Sequence, residues 1–373
     1  MKILQACGGY SMGGLEQQTI KISLALQNKG HEVLVFCSAD SLISEKCKSL
    51  NLPFSTGLFD NGSNTFTNYK NTRNVIKKFS PDIIHVQRSH DLFPIASVLN
   101  TYGLSTPLFF TRRMESNINK KTLIHRWIYH RIDKCYAISN FIKENLIMTT
   151  PINAKKIEIL NNAVDLNIFD PNKYDKTLNR QKFNIPNDTI IIGMVGRISP
   201  MKGHRELIFA AAELLKNHYD NLFFVFFGGA SVGEEYFANE IYQLADYTLP
   251  KEKFMFYEFT DSVAEALSTI DIFVFPSYRE SFGNALLEAM AMQLPIVTTF
   301  AGGVTDIIKC NENALCVEPQ NHKQIYEAIK LILSDDELKN NLALYARRTA
   351  ENHNFDDYIN KLERDYTDFI KNK

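Results

Sequence analysis

Two glutamates, Glu280 and Glu288, flank a strand-to-helix turn in the segment Pro276-Ser-Tyr-Arg-Glu280-Ser-Phe-Gly-Asn284-Ala-Leu-Leu-Glu288. Upstream, Asp271-Ile-Phe-Val-Phe275 is a short apolar run rich in β formers, and Ala285 to Met292 is a run of helix formers opening after Gly283-Asn284. Glu280 is therefore predicted in the turn and Glu288 on the helix. The first amides of that helix, near Phe282, Gly283, Asn284 and Leu286, lack acceptors within it and carry the positive end of its dipole, which suits an anionic or hydroxyl-rich ligand. Glu280 would then accept from sugar hydroxyls and Glu288 would grip a ribose diol. Taken alone, the two carboxylates fit equally a helix cap with a solvated turn residue, or the acid and base of a hydrolase.

A second constellation, Ile190-Ile-Ile-Gly-Met-Val195-Gly-Arg197-Ile-Ser-Pro-Met-Lys202-Gly203, is an apolar strand running through Gly196 into a loop that holds Arg197 and Lys202. A helix from about His204 to Lys216 follows. Strand, loop and helix form the unit in which an open α/β sheet binds ligands beyond its strand ends. Arg197 offers a bidentate fork to phosphate oxygens and Lys202 a flexible point charge. Singly, each is commonly a solvated loop residue; together they suit a diphosphate.

Both loops need a scaffold that gathers strand ends. With 373 residues and 45% apolar content, the chain exceeds one common domain and can bury two cores. The first half alternates strand and helix: a strand from Lys2 to Ala6, a helix from about Leu15 to Lys29 stopped by Gly30, then strands near 31–36, 82–86, 108–110, 135–138 and 157–159. From about Thr189 the alternation repeats, with strands near 222–227, 254–256, 271–275, 296–298 and 315–317. This pattern predicts two α/β domains with parallel sheets and crossover helices. The Asn-rich stretch 161–187, with Pro171 and Pro186, is the predicted linker.

Val195-Gly-Arg197 with Lys202-Gly203, and Glu280 with Glu288 after Pro276-Ser277, resemble the donor site of family 4 glycosyltransferases of GT-B fold. Gly13-Gly14 after the first strand, Asn161-Asn-Ala-Val-Asp165 with Phe169, Phe227-Gly-Gly229 and Ala301-Gly-Gly-Val304 match further pieces in the family's order. A lone Gly-Gly is weak; the ordered set with the fixed spacing of the two glutamates is specific. The resemblance implies two Rossmann-like domains with parallel sheets facing across a cleft. The acceptor domain would span 1–165 and the donor domain 166–354, with a closing helix, 355–373, packed back on the first. It implies transfer with retention of anomeric configuration from a nucleotide sugar, with UDP or GDP, to a glycan or lipid-linked acceptor in bacterial surface polysaccharide or lipopolysaccharide synthesis.

Residue by residue, the resemblance has Arg197 and Lys202, beside Gly196, neutralise the donor diphosphate, Glu288 bind the ribose, and Glu280 hold the transferred sugar. Backbone amides of Phe282, Gly283, Asn284 and Leu286 would complete the contacts, and Gly14 would let the amino-terminal loop approach closely. Breaking the anomeric C–O bond adds negative charge to the diphosphate, so preorganised cations bind the transition state best. One such donor is worth roughly 3 kcal/mol, and losing Arg197 or Lys202 should cost about a hundredfold in turnover. No two Asp residues stand at i and i+2 anywhere in the chain, so the Asp-x-Asp metal arrangement of many sugar transferases is missing. No metal and no cofactor are expected.

Two departures from the family pattern stand out. After Pro107-Leu-Phe-Phe110, relatives place a histidine near the reacting sugar, whereas this chain reads Thr111-Arg112-Arg113-Met114-Glu115. Arg112 or Arg113 would hold a phosphate or acceptor anion there, and His90, in Gln87-Arg88-Ser89-His90-Asp91, lies past the preceding strand at the same sheet end. Gln293 stands where the family has glycine, at a cost if that turn is left-handed.

Six scattered cysteines without a Cys-x-x-Cys pair predict reduced thiols in a cytoplasmic protein. The first residues lack an apolar signal core, and no apolar run approaches the length of a membrane span. Residues 1–170 carry 20 Lys and Arg against 13 Asp and Glu, while the remainder is net acidic. The basic first half, with Lys120, Lys121, Arg126, Arg131 and Lys134 around Trp127 and Tyr129, suits peripheral contact with an anionic inner membrane face or a phosphorylated glycan, and equally a solvated helix.

Two alternatives use the same fold. A nucleotide-sugar 2-epimerase would need the same diphosphate grip and no acceptor, and a non-catalytic sugar-binding protein would tolerate a degraded donor site. The joint presence of Arg197, Lys202, Glu280 and Glu288 speaks against degradation. Gly8-Gly9 through Gly13-Gly14 lacks the Gly-x-Gly-x-x-Gly spacing of a nicotinamide enzyme. Nucleic-acid binding lacks both a strong basic balance and a motif.

Overall fold

The structure, a computed structural model, describes residues 1–10, 13–59, 65–230, 233–258, 260 and 262–372. The chain forms two compact units, Met1–Asn161 with Asp356–Lys373, and Asn162–Phe355.

In the first unit, strands β1 (Lys2–Cys7), β2 (Glu32–Cys37), β3 (Phe54–Thr56), β4 (Ile83–Val86), β5 (Leu108–Arg112), β6 (Lys134–Ala137) and β7 (Ile157–Ile159) make a seven-stranded sheet in the order β3-β2-β1-β4-β5-β6-β7. Every pairing is parallel. In the second unit, β8 (Ile190–Val195), β9 (Leu222–Phe227), β10 (Phe254–Tyr257), β11 (Ile272–Phe275), β12 (Ile296–Thr299) and β13 (Leu315–Val317) make a six-stranded sheet, also parallel, in the order β10-β9-β8-β11-β12-β13. Both units are Rossmann-like α/β structures. Helices over both faces explain why central strands read as unbroken apolar runs: Leu222-Phe-Phe-Val-Phe-Phe227 is buried throughout.

In each sheet the chain leaves its first strand toward one edge and later returns to the other side of it. The order therefore reverses at β1/β4 and at β8/β11, and the carboxyl ends of those neighbours form the crevice where an open α/β sheet takes ligands. The loops carrying Arg197 with Lys202, and Glu280, leave from β8 and β11.

The helix Phe355–Lys371 belongs to the first unit and turns Tyr358, Ile359, Leu362 and Tyr366 inward. Its Tyr366 hydroxyl meets Nδ1 of buried His85. Tyr136 donates to Asp365 Oδ2 at 2.6 Å, and Lys361 pairs with both Glu158 and Asp365.

Several local expectations are corrected. β3 was not legible, because Phe54-Ser-Thr56 is too short to show a period; it forms where β2 offers an edge, with Val35 opposite Phe54. The predicted linker is folded into the second unit: Arg180 donates to Thr269 O at 3.0 Å, and both Arg180 and Lys176 reach the Asp271 carboxylate at 2.5 Å. The cysteines are not all reduced. Cys310 and Cys316 form a disulfide, because the chain doubles back between them, with Asn311 N–H on Ala314 O at 2.8 Å, and brings their Cα atoms within 5.4 Å. Cys7, Cys37, Cys47 and Cys135 are buried and take part in no disulfide.

Gln293 does take the left-handed conformation, φ 57°. It closes the helix Asn284–Ala291 with its N–H on Met290 O, while Leu294 N–H reaches Ala289 O. No helix among the described residues is long and apolar enough to cross a membrane.

Candidate functional site

Past the end of β8 the ladder continues for a few residues, with Gly196 N–H on Phe227 O and Ile198 N–H on Gly229 O, both at 2.9 Å. Arg197, exposed, projects from this stretch. Lys202 N–H on Ser199 O then closes a turn, and Gly203 at φ 78° leads into the helix His204–Lys216. A Cβ on Gly203 would lie 2.2 Å from Pro276 O. Glycine here lets the loop after β8 press against the loop after β11, where Tyr278 N–H bonds to Met201 O at 2.9 Å.

That approach brings Lys202 Nζ to 2.5 Å from Glu280 Oε1, with side chains only 20% and 15% exposed. The two residues are 78 positions apart in the chain. Beside them the Tyr278 hydroxyl donates to Glu206 Oε1 at 2.6 Å, which ties the β11 loop to the helix that follows the β8 loop. Glu280 is further held by a bridge to Gly302 and by Gly303 N–H on its carbonyl at 2.7 Å. A Cβ on Gly303 would fall 2.0 Å from Ser281 O, so three loops, after β8, β11 and β12, are drawn into one knot.

The helix Asn284–Ala291 starts directly from this knot. Its N-cap, Gly283, makes no side-chain cap bond. Phe282 and Leu286 are buried, while Asn284 Oδ1 accepts from Asn162 Nδ2 at 2.9 Å. Glu288 is half-buried on this helix. His204, at the start of the neighbouring helix, is buried with Nδ1 unpartnered; burial, and then the Lys202 charge, push it down to about 3, so it is neutral. Among the described residues, no three His, Cys, Asp or Glu side chains cluster in a way that could hold a metal.

The other sequence-predicted residues lie in the first unit. Gly14 opens the helix Gly14–Asn28, whose cap is Gly13 N–H on Glu16 Oε2 at 3.0 Å. His90 is exposed, its ring 4.1 Å from that of Phe59, and partial burial with Arg88 and Lys120 lowers its pKa. Arg112 and Arg113 are both buried. Arg112 donates to the Ser89 hydroxyl, and Arg113 donates to Gln87 Oε1 at 3.1 Å and to the Tyr358 hydroxyl at 3.5 Å. Arg113 thus joins the end of β5 to the last helix, a use the sequence did not suggest.

Sequence reasoning also missed Asp91, Tyr278 and Asn162. Asp91 is fully buried at the end of β4, its Oδ2 accepting from Gly8 N–H at 2.8 Å; burial, opposed by Arg88 and that N–H, raises it to about 6. Its place beside His90 in a strand-end loop was the available signal. Nothing in the local sequence announces the bond between Tyr278 and Glu206, because its partners lie on different crossovers.

The chain matches the family Glycosyltransferase Family 4 over residues 12–168 and the family Glycosyl transferases group 1 over residues 175–349. It is 29% identical to the capsular polysaccharide biosynthesis glycosyltransferase CapM of Staphylococcus aureus over 63% of this chain and 61% of CapM, so the match spans less than two thirds of that relative. It is 27% identical to the phosphatidylinositol N-acetylglucosaminyltransferase GPI3 subunit of Saccharomyces cerevisiae over 85% of this chain and 71% of that protein. Among solved structures, Anabaena Alr3699/HepE in complex with UDP shares the fold with a TM-score of 0.86 at 18% identity, covering 99% of this chain and all of that one.

Proposed function

The chain belongs to the family 4 glycosyltransferases of GT-B fold, and on that premise we propose that it transfers a sugar, with retention and without a metal, from a UDP- or GDP-sugar to a glycan or lipid-linked acceptor. The observation that carries this reading is the contact between Lys202 and Glu280 where the strand order reverses. A cation and a carboxylate meet there, beside a helix whose N-cap makes no side-chain bond. Arg197 stands on the same loop as Lys202.

The reaction follows from that placement. The bond between the anomeric carbon and the leaving phosphate oxygen breaks, and its electron pair stays on the diphosphate. Lys202, largely shielded from water, and Arg197 stabilise that charge, and the helix amides add their dipole. The acceptor hydroxyl oxygen bonds to the anomeric carbon on the face the diphosphate leaves, and its proton passes to the departing phosphate oxygen. Glu280 orients the sugar hydroxyls, and Glu288 holds the ribose. Similarity to CapM and GPI3, whose names place them in capsular polysaccharide synthesis and in N-acetylglucosamine transfer to phosphatidylinositol, supports an acceptor in surface polysaccharide or lipid-linked glycan synthesis.

Thermal-shift screening of nucleotide sugars, followed by assays of nucleoside diphosphate release with candidate acceptors, tests the reading. One UDP- or GDP-sugar should stabilise the protein, and release should depend on acceptor and persist in chelator. Isomerised donor without a transferred sugar would replace transfer by 2-epimerisation, and full loss of activity in chelator would remove the metal-free mechanism.

A further inference from the structure

A buried cation with no acid to answer it is costly, and the first unit holds one at the end of β5. Arg112 is only 6% exposed. Strands β4 and β5 are neighbours, with Val86 opposite Phe110, so the loops that leave their carboxyl ends lie side by side. Across them Arg112 Nη1 donates to the Ser89 hydroxyl, while Arg112 Nε is buried and finds no acceptor. Among the described residues no carboxylate pairs with this guanidinium. The Tyr129 phenol and the Cys135 thiol lie within electrostatic reach, but burial pushes both up, Tyr129 to about 12, so neither carries a countercharge.

The nearby arginines are answered. Arg113 donates to Gln87 and Tyr358, and Arg88 favours the ionised form of Asp91. What comes toward Arg112 is a second cation. Lys120 is half-buried, with its N–H on Thr149 O at 2.7 Å, and its side chain enters no ion pair among the described residues. Burial, and then the charge of Arg112, lower it. Ser89 and Lys120, neither of them fully buried, keep the region open to solvent.

A phosphate supplies what is missing. The unused Nε–Nη2 edge of Arg112 is a planar fork for two oxygens of one phosphate, Lys120 adds a point charge, and the Ser89 hydroxyl, which accepts from Arg112, keeps its own proton for another oxygen. A carboxylate would bring one charge to two cations. We propose that Arg112, Lys120 and Ser89 form a subsite for a phosphate group carried by the acceptor. The proposal rests on the sugar-transfer reading in one respect: Arg197 and Lys202, in the other unit, take the donor's diphosphate, which leaves this phosphate to the acceptor.

Inorganic phosphate, glucose 6-phosphate and farnesyl phosphate are titrated into the full chain by calorimetry, beside glucose and farnesol. Phosphate-bearing probes should bind and the two alcohols should not. Tighter binding of glucose 6-phosphate than of farnesyl phosphate assigns the phosphate to a sugar, and the reverse order assigns it to a lipid. Arg112→Gln should weaken the phosphate probes about a hundredfold and Lys120→Gln about tenfold, as for a bidentate and a single charge-assisted contact. The melting temperature of unliganded Arg112→Gln should hold or rise, because an unanswered buried charge has gone; should that variant fail to fold, Lys120→Gln, at a half-buried position, still reads the subsite. No binding of any phosphate probe, binding that both variants keep, or binding that Lys202→Ala abolishes and Arg112→Gln leaves intact would each overturn the proposal. UDP and GDP titrated into the same proteins keep the two readings apart. Nucleotide bound without the phosphate probes removes the acceptor subsite alone, whereas phosphate probes bound with no nucleotide or nucleotide sugar would remove sugar transfer, and with it the assignment to an acceptor.

Discussion

Glu280→Gln, set beside Lys202→Ala, separates a donor-binding pair from a structural ion pair. At 2.5 Å, with an effective dielectric constant of about 20, the attraction between Lys202 and Glu280 is roughly 7 kcal/mol. Several kcal/mol of desolvation for each ion oppose it, and both side chains keep some access to water, so the net loss on cutting the pair should be about 1–3 kcal/mol of stability in either variant. Ligand binding should split them. Glu280 occupies Lys202 in the structure, and under the proposed function an arriving diphosphate takes its place. Glu280→Gln removes that competitor while keeping the shape, so UDP or GDP should bind as well as before or up to about tenfold tighter, a gain of about 1.4 kcal/mol. Sugar transfer should fall about a hundredfold, because the carboxylate no longer orients the sugar. Lys202→Ala should lose nucleotide affinity and, with roughly 3 kcal/mol of transition-state stabilisation gone, at least a hundredfold in kcat/KM. Calorimetry with the nucleoside diphosphate and steady-state assays with the nucleotide sugar read both. If Glu280→Gln weakens nucleotide binding as much as Lys202→Ala does, the pair only braces the loops and the reasoning fails.

Gly203→Ala should destabilise the second unit by about 3 kcal/mol or more, through strain at φ 78° and a Cβ 2.2 Å from Pro276 O; a denaturation midpoint within the error of the parent protein would contradict the close approach. Gln293→Gly should stabilise by about 1 kcal/mol, since glycine relieves the left-handed penalty at φ 57°, and a lower melting temperature would count against that account. His204, lowered by burial and then Lys202 to about 3, contributes fully above its ordinary value of 6.5 and loses that contribution as pH falls toward 3. By pH 5 the second unit should be weaker by about 2 kcal/mol than at pH 7, and His204→Gln should flatten the slope. In the first unit His85, lowered by burial and then Arg113 to about 3, acts in the same sense, but Asp91, raised by burial to about 6, gains stability as pH falls from 6 toward 3.8 and opposes it. Hydrogen exchange resolved by peptide should therefore show the second unit responding first, and equal responses would reject this assignment.

What the sequence determined by itself is what local chemistry controls. Alternating apolar runs and helix formers marked twelve of the strands that form, because side-chain period and turn residues act over a few positions. The segments around Arg197 and Lys202, and around Glu280 and Glu288, announced themselves because a strand, a glycine-bearing loop and a helix start must follow one another closely to make such a turn. Tertiary structure decided which of these residues meet. The Lys202 to Glu280 contact depends on β8 and β11 being neighbours and on Gly203 lying against Pro276, neither of which any window of the sequence contains. The same holds for Arg113, drawn to Gln87 and Tyr358 by burial, for Asp91, whose raised pKa comes from being enclosed, and for the Cys310 to Cys316 bond, which needs the turn between them. Backbone preference is a property of near neighbours, whereas burial and pairing are properties of residues that only the packed chain brings together.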